Sequence, residues 1–208
     1  MHNKPTSPFS FISFTKLGKV VKHVLMLSSD KSTQEKQAAE SFMKAYNKRN
    51  QHCVIKDCSP LPENDQDFVL TFEHHEVLLQ LTELVDRAFT KPMTNEEYDK
   101  VKFQESILKK DGDRPWKIDV EKRDAALSKL IEKKLDKHYA KEADKKLWLL
   151  IFTTNTLYEV EYKTEGKLII SNSLQKARLM LEKKQENDFQ EIWFTNLLTS
   201  PIQIWPAT

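Results

Sequence analysis

Apolar residues recur at Ala38, Ala39, Phe42, Met43 and Tyr46, a spacing of three and four that lines one face of a helix. Ser32 and Glu35 precede them as an S-x-x-E pair, so a capping box is expected at the helix start. The period then changes. HCVIKDCSPLPEND predicts a short strand and a proline-punctuated turn, and DFVLTF and EVLLQLTEL predict two strands joined by a tip of Glu73, His74, His75 and Glu76. The second of these runs is apolar on both faces, as suits a central strand.

Residues 90 to 116 are polar and end in KKDGDRPW, which reads as a loop or a partly helical excursion. A long helix is expected from about Ile118 to Lys141. At about 100° per residue, Val120, Leu127, Leu130, Ile131 and Leu135 form its apolar stripe, and Asp124, Lys134 and His138 fall within that stripe. KLWLLIFTT follows as a buried strand, and TLYEVEYKTEGKLIIS as a hairpin turning near Glu165 and Gly166. NSLQKARLMLEKKQ is a helix with Asn172 or Ser173 as N-cap, and FQEIWFTN and PIQIWP close the chain as short strands. This order predicts a mixed α/β (α+β) protein with helices flanking a central β-sheet, in one domain over residues 30–208.

Residues 1–29 stand apart. They hold no Asp or Glu, and Lys4, Lys16, Lys19 and Lys22 recur beside Phe14, Leu17, Val21 and Val24 at helical spacing. The expectation is a basic amphipathic N-terminal segment, either a tail leading into the first packed element or a targeting or membrane-surface element.

Composition narrows the functional classes. A chain of 208 residues with 39% hydrophobic and 31% charged positions can bury a sizeable core, and no stretch reaches the roughly 18 apolar residues of a membrane span. A formal charge of +2 leaves nucleic-acid binding to the local distribution of charge. With 3 glycines there is neither G-x-G-x-x-G nor a P-loop, and no G-x-S-x-G occurs. The 2 cysteines, Cys53 and Cys58, are too few for a structural zinc site and read as reduced thiols in a cytoplasmic setting, with the basic N-terminus leaving targeting or export open.

The strands carrying P-x-N-D-Q-D-F-V-L and V-L-L-Q-L-T-E-L, the helix before them, the Lys-rich helix after them and L-W-L-L-I resemble the PD-(D/E)XK nuclease superfamily, in a branch reading E-x-T. The resemblance runs from about Glu35 to Trp205. It implies a restriction-endonuclease-like fold and Mg²⁺-dependent phosphodiester hydrolysis. In that pattern an Asp at one strand start and a Glu on the next strand hold the metal, and a Lys two residues on lies near the attacking water. Position by position, the Asp falls on Asp67, the Glu on Gln80 and the Lys on Thr82, while Glu35 matches an additional acidic residue on the first helix. Asp67, Gln80 and Glu35 are thus the candidate Mg²⁺ ligands, and Asp67, Gln80, Thr82, Lys134 and Glu35 the candidate catalytic set.

This chain departs from the pattern at two places. Gln80 offers an amide where a carboxylate is expected, which weakens Mg²⁺ binding, and Thr82 carries no charge. Lys134 would then supply the cation from the long helix, or else run its stem along the core and reach solvent. Each residue also has a plainer role: Asp67 capping the turn, Glu35 completing its capping box, Gln80 as a satisfied amide, Asp124 and His138 as partners in a buried network. The alternative function is a catalytically inactive relative that binds nucleic acid or a protein. The Lys cluster from Lys129 through Lys133, Lys134, Lys137, Lys141, Lys145 and Lys146 is a candidate contact surface, although interleaved acidic residues also suit a solvated helix face. Glu161 and Lys163 form a literal E-x-K, read as the charged side of a hairpin. His74 and His75 are expected at a hairpin tip, and Trp148, Trp193 and Trp205 in or beside the core.

Overall fold

The computed structural model describes residues 7–14, 20–27, 30–62, 67–85, 90–92, 116–139, 144–154, 158, 160–164, 167–184, 187–196 and 201–206. Among the described residues, three helices and a six-stranded mixed sheet make an α/β fold. Helix α1 spans Lys31–Arg49, α2 spans Val120–Leu135 and α3 spans Asn172–Lys183. The sheet is built from β3 (Asp57–Pro60), β4 (Phe68–Thr71), β5 (Glu76–Glu83), β8 (Lys146–Phe152), β11 (Glu191–Thr195) and β12 (Ile202–Trp205), in the spatial order β12-β11-β8-β5-β4-β3. The strands β3, β4 and β5 form an antiparallel meander, and β5, β8 and β11 run parallel. Parallel neighbours need long crossovers. Helix α2 lies in the connection from β5 to β8, and α3 in that from β8 to β11.

Side-chain alternation along the central strands makes two cores. Toward α1, Val77, Leu79 and Leu81 of β5 and Trp148, Leu150 and Phe152 of β8 pack with Ala38, Ala39, Phe42 and Tyr46. Toward α2 and α3, Leu78, Leu149 and Ile151 pack with Leu127, Ile131, Leu174, Ala177 and Leu181. The buried β5 and β8 occupy the middle of the sheet, as their continuous apolar runs predict. Trp148 and Trp193 belong to the aromatic core under α1, and half-buried Trp205 packs on the other one.

Several boundaries differ from the sequence expectation. The N-cap of α1 is Asp30, whose carboxylate accepts from Thr33 N at 2.8 Å; Ser32 lies inside the first turn and donates to that carboxylate at 2.6 Å. Ser32 and Glu35 therefore form no capping box, because Asp30 already satisfies the turn and Glu35 pairs with Lys31 at 3.4 Å. Helix α2 starts after its cap Asp119 and ends at Leu135, short of Lys141. The residues after Leu135 are polar, and Tyr139 turns inward to pack on Phe189 with ring centroids 5.1 Å apart. His138 consequently lies beyond the helix and is exposed, and Val120 is exposed at its first turn. Ser171 caps α3, one residue before the expected position, accepting from Leu174 N at 3.2 Å.

The N-terminal segment forms strands where helical spacing was read. Ser7–Phe14 (β1) and Val20–Leu27 (β2) pair antiparallel as a separate two-stranded sheet, with Phe14 opposite Val20. The first run is rich in Phe and the second in Val, residues that favour the pleated backbone over the helix. Short strands Thr90–Pro92 (β6) and Trp116–Ile118 (β7) also pair, framing the polar region whose residues 93–115 lie outside the described set. The hairpin of Glu161–Thr164 (β9) and Lys167–Ile170 (β10) is a third separate sheet. Among the described residues, no helix is long and apolar enough to cross a membrane.

Candidate functional site

The site arises where β4 stops short of β5. Phe68, the first residue of β4, pairs with Leu79, and Asp67 N donates to Leu79 O at 3.2 Å. Two residues further along β5, Leu81 points its N–H and C=O in the same direction, past the start of β4. Asp67 fills that gap with its side chain. Its Oδ2 accepts from Leu81 N at 2.6 Å and from Gln80 Nε2 at 2.5 Å. The Gln80 amide also donates to Leu81 O at 3.1 Å, and Lys134 Nζ approaches the same carbonyl at 3.5 Å.

Asp67, Gln80 and Lys134, expected from the sequence to act together, are thus joined through one backbone carbonyl and one carboxylate. Gln80 is 6% exposed and faces α2 by strand alternation. Lys134 comes from the last turn of α2 and is half-buried. Burial, the largest cause, pushes its pKa below the usual lysine value, and the neighbouring ammonium groups of Lys137 and Lys31 act in the same direction. The negative charges of Asp67 and Glu35 oppose that shift. Glu35 therefore contributes charge to the site from α1, while its carboxylate is paired with Lys31. Thr82 lies two residues beyond Gln80 on the same strand face and is half-buried; among the described residues it makes no hydrogen bond to Asp67, Gln80 or Lys134.

The remaining candidates fall elsewhere. Asp124 accepts from Asn172 Nδ2 at 3.2 Å, near the start of α3, and takes no part in the Asp67 cluster. His75 stacks on Phe72 at the exposed hairpin tip, with centroids 4.5 Å apart. The E-x-K of Glu161 and Lys163 belongs to the separate β9–β10 sheet. Lys145 pairs with Glu76 at 3.0 Å, while Lys129, Lys133 and Lys137 lie exposed among acidic neighbours; Lys141 is outside the described residues. Cys53 and Cys58 are free thiols, and burial with the nearby charges of Asp57 and Glu40 pushes Cys58 up to about 12, which leaves it a poor nucleophile.

Sequence reading overlooked the Leu81 carbonyl. A backbone oxygen has no residue-type signature, and this one matters because β4 begins at Phe68. Lys31 and Lys137 were likewise not singled out for the site; both act on Lys134 through charge.

Among the described residues, no group of three or more His, Cys, Asp or Glu side chains is arranged to hold a metal ion. The oxygen donors at the site are of mixed kind. Asp67 supplies a carboxylate and Leu81 a carbonyl, whereas Gln80 turns its NH₂ toward Asp67 and would present Oε1 only after its amide rotates. Mg²⁺ is usually held by one or two carboxylates with waters or substrate phosphates completing the shell, and this site offers one carboxylate, already bonded to Leu81 N and Gln80 Nε2. It is a weak set, since Gln80 brings no charge. Comparison of the chain with family models, with curated proteins and with solved structures gave no match.

Proposed function

We propose that the chain is a nuclease-like protein of the PD-(D/E)XK type, with a restriction-endonuclease-like arrangement of helix, antiparallel strands, helix and parallel strand, and that its Asp67 site acts on nucleic-acid phosphodiesters. One observation carries this reading. Asp67 from the start of β4, Gln80 and the Leu81 carbonyl from β5, and Lys134 from α2 converge although up to 67 residues separate them, as the 134 and 67 positions show.

Mg²⁺ would be held by Asp67 and the Leu81 carbonyl, with substrate phosphates completing its shell and Glu35 contributing charge from a distance; when bound it would supply Lewis-acid polarisation of the phosphate and a more acidic water. The chain's own residues do the rest. Asp67 is held by Leu81 N and Gln80 Nε2, which fixes the direction of its carboxylate. Lys134 brings a positive charge to the position where a phosphate would gain negative charge in the transition state, the part expected of the lysine that Thr82 replaces. Its partial burial strengthens that interaction relative to an exposed lysine.

The test is cleavage of several DNA and RNA substrates with Mg²⁺ or Mn²⁺, comparing wild type with Asp67→Ala. Metal-dependent cutting that Asp67→Ala abolishes supports hydrolysis. Gln80 favours a second reading, in which an uncharged amide has replaced a metal-binding carboxylate and the protein binds nucleic acid without cutting it. In that case wild type binds but does not cut, binding weakens as salt rises, and Gln80→Glu gains activity. Neither binding nor cutting by any of these proteins would reject both readings.

A further inference from the structure

The β1–β2 ribbon stands outside the six-stranded sheet, and its chemistry differs from that of the rest of the chain. Residues 1–29 hold 4 lysines, Lys4, Lys16, Lys19 and Lys22, and none of the chain's 31 acidic residues. Lys16 and Lys19 fall between the two strands in sequence, and Lys22 lies on β2. Removing these four positive charges from the formal +2 of the whole chain leaves residues 30–208 at −2. Attraction to a negative surface therefore belongs to this segment and not to the molecule as a whole.

A two-stranded ribbon by itself is marginal in water and needs a surface to pack on. The register indicates what that surface must offer. Phe9 stands opposite Leu25, Phe11 opposite His23 and Ser7 opposite Leu27, so Phe9, Phe11, Leu25 and Leu27 share one face, which carries no lysine. Lys22 stands opposite Ile12 on the other face. Each strand has 8 residues, short of the roughly 9–11 that a membrane-crossing strand needs, and an open pair of strands cannot satisfy its edges inside hydrocarbon. The ribbon is suited to lie on a bilayer rather than to cross it.

We propose that the β1–β2 ribbon is a membrane-surface element, which lies on an anionic lipid bilayer with the Phe9, Phe11, Leu25 and Leu27 face at the acyl boundary and the lysines of the segment among acidic headgroups. Apolar burial and electrostatic attraction act together in such binding. A second copy of this chain would cover the apolar face but would bring the same lysines against one another. Nucleic acid would answer the lysines but offers no hydrocarbon to Leu25 and Leu27. Neither the ribbon nor its lysines belong to the Asp67 site, so this function is separate from the phosphodiester reading.

The experiment is co-sedimentation of the full chain with vesicles of phosphatidylcholine alone and of phosphatidylcholine mixed with phosphatidylglycerol, without nucleic acid. Binding to the mixed vesicles should be at least about tenfold tighter than to the neutral ones and should weaken as salt rises. Phe11→Ser combined with Leu25→Ser should weaken it about tenfold, and Lys22→Glu about fivefold. Lys129→Glu, an exposed position on α2, should change it by less than about twofold. Circular dichroism of each variant checks that the fold is retained, and Lys22→Glu keeps the test open if the double serine variant does not fold. Equal binding to the two vesicle types, no binding to either, or an equal loss in Lys129→Glu would overturn the proposal. So would ribbon variants that bind vesicles as wild type does but lose self-association in sedimentation velocity or binding to single-stranded DNA, since the ribbon would then serve a second copy or nucleic acid.

Discussion

Two polar clusters lie on the same side of the sheet, at opposite ends of α2, and they are built from different chemistry. Near the start of α2, the hydroxyls of Tyr158 and Ser173 lie 2.5 Å apart, and both reach the Arg123 carbonyl, at 3.2 and 3.3 Å. Tyr158 and Ser173 are fully buried and neutral, and their bonds tie α2 to the first turn of α3. Near the end of α2, Asp67, Gln80 and Lys134 meet around Leu81 with formal charges at half-buried positions. The first cluster satisfies its own hydrogen bonds with neutral groups, which is what a structural tie requires. The second places charge where water is partly excluded, so it bears a desolvation cost that the neutral cluster does not.

The largest effect that would test this contrast comes from Asp67→Ala. It leaves Leu81 N and Gln80 Nε2 without their shared acceptor, so unfolding free energy should fall by about 2–3 kcal/mol in urea titrations while cleavage or phosphate binding disappears. Tyr158→Phe should cost about 1–2 kcal/mol and leave nucleic-acid binding unchanged, as measured by the same titrations and by fluorescence anisotropy. A loss of binding in Tyr158→Phe would remove the distinction between the clusters.

Alkaline pH should move the two clusters in opposite directions. Burial raises the Tyr158 phenol from 10.0 to about 12, so the stability it contributes is present below its unfolded value and is lost as pH rises through that interval. Lys134 is shifted below 10.5, so the unfolded chain holds the proton more tightly, and stability rises as pH climbs from the lowered value toward 10.5. Relative to Tyr158→Phe, wild type should therefore lose stability with rising pH; relative to Lys134→Met, it should gain. Denaturant titrations from neutral to about pH 11 check both signs. The smallest effect is that of Lys134→Met at neutral pH, expected to alter stability by under about 1 kcal/mol, because it removes a partly buried charge while keeping the apolar stem.

Much of the fold was legible because periodicity reports which face is buried. EVLLQLTEL and KLWLLIFTT read as central strands and are central, since both faces of β5 and β8 pack against helices. Helix ends were read less well. Capping depends on which of several adjacent Ser, Thr or Asp residues reaches an amide first, and Asp30 and Ser171 displaced the expected residues by one or two positions. Residues 7–27 misled because valine and phenylalanine satisfy both periods, and the choice between them was made by pairing of β1 with β2. Of the candidate site residues, Asp67, Gln80 and Lys134 share a hydrogen-bonded cluster, Glu35 acts on it through charge, and Thr82 makes no hydrogen bond to it.

By itself the sequence determined the identity of the polar residues at strand and helix positions facing α2, because alternation and the helical stripe follow from local backbone geometry. It also determined that an amide stands at position 80 and no lysine at position 82. Only the tertiary structure decided that the Leu81 carbonyl is open to these side chains and that Lys134 is the cation that reaches it. That outcome depends on where β4 begins against β5 and on where α2 crosses the sheet, and both are set by packing between segments far apart in the chain.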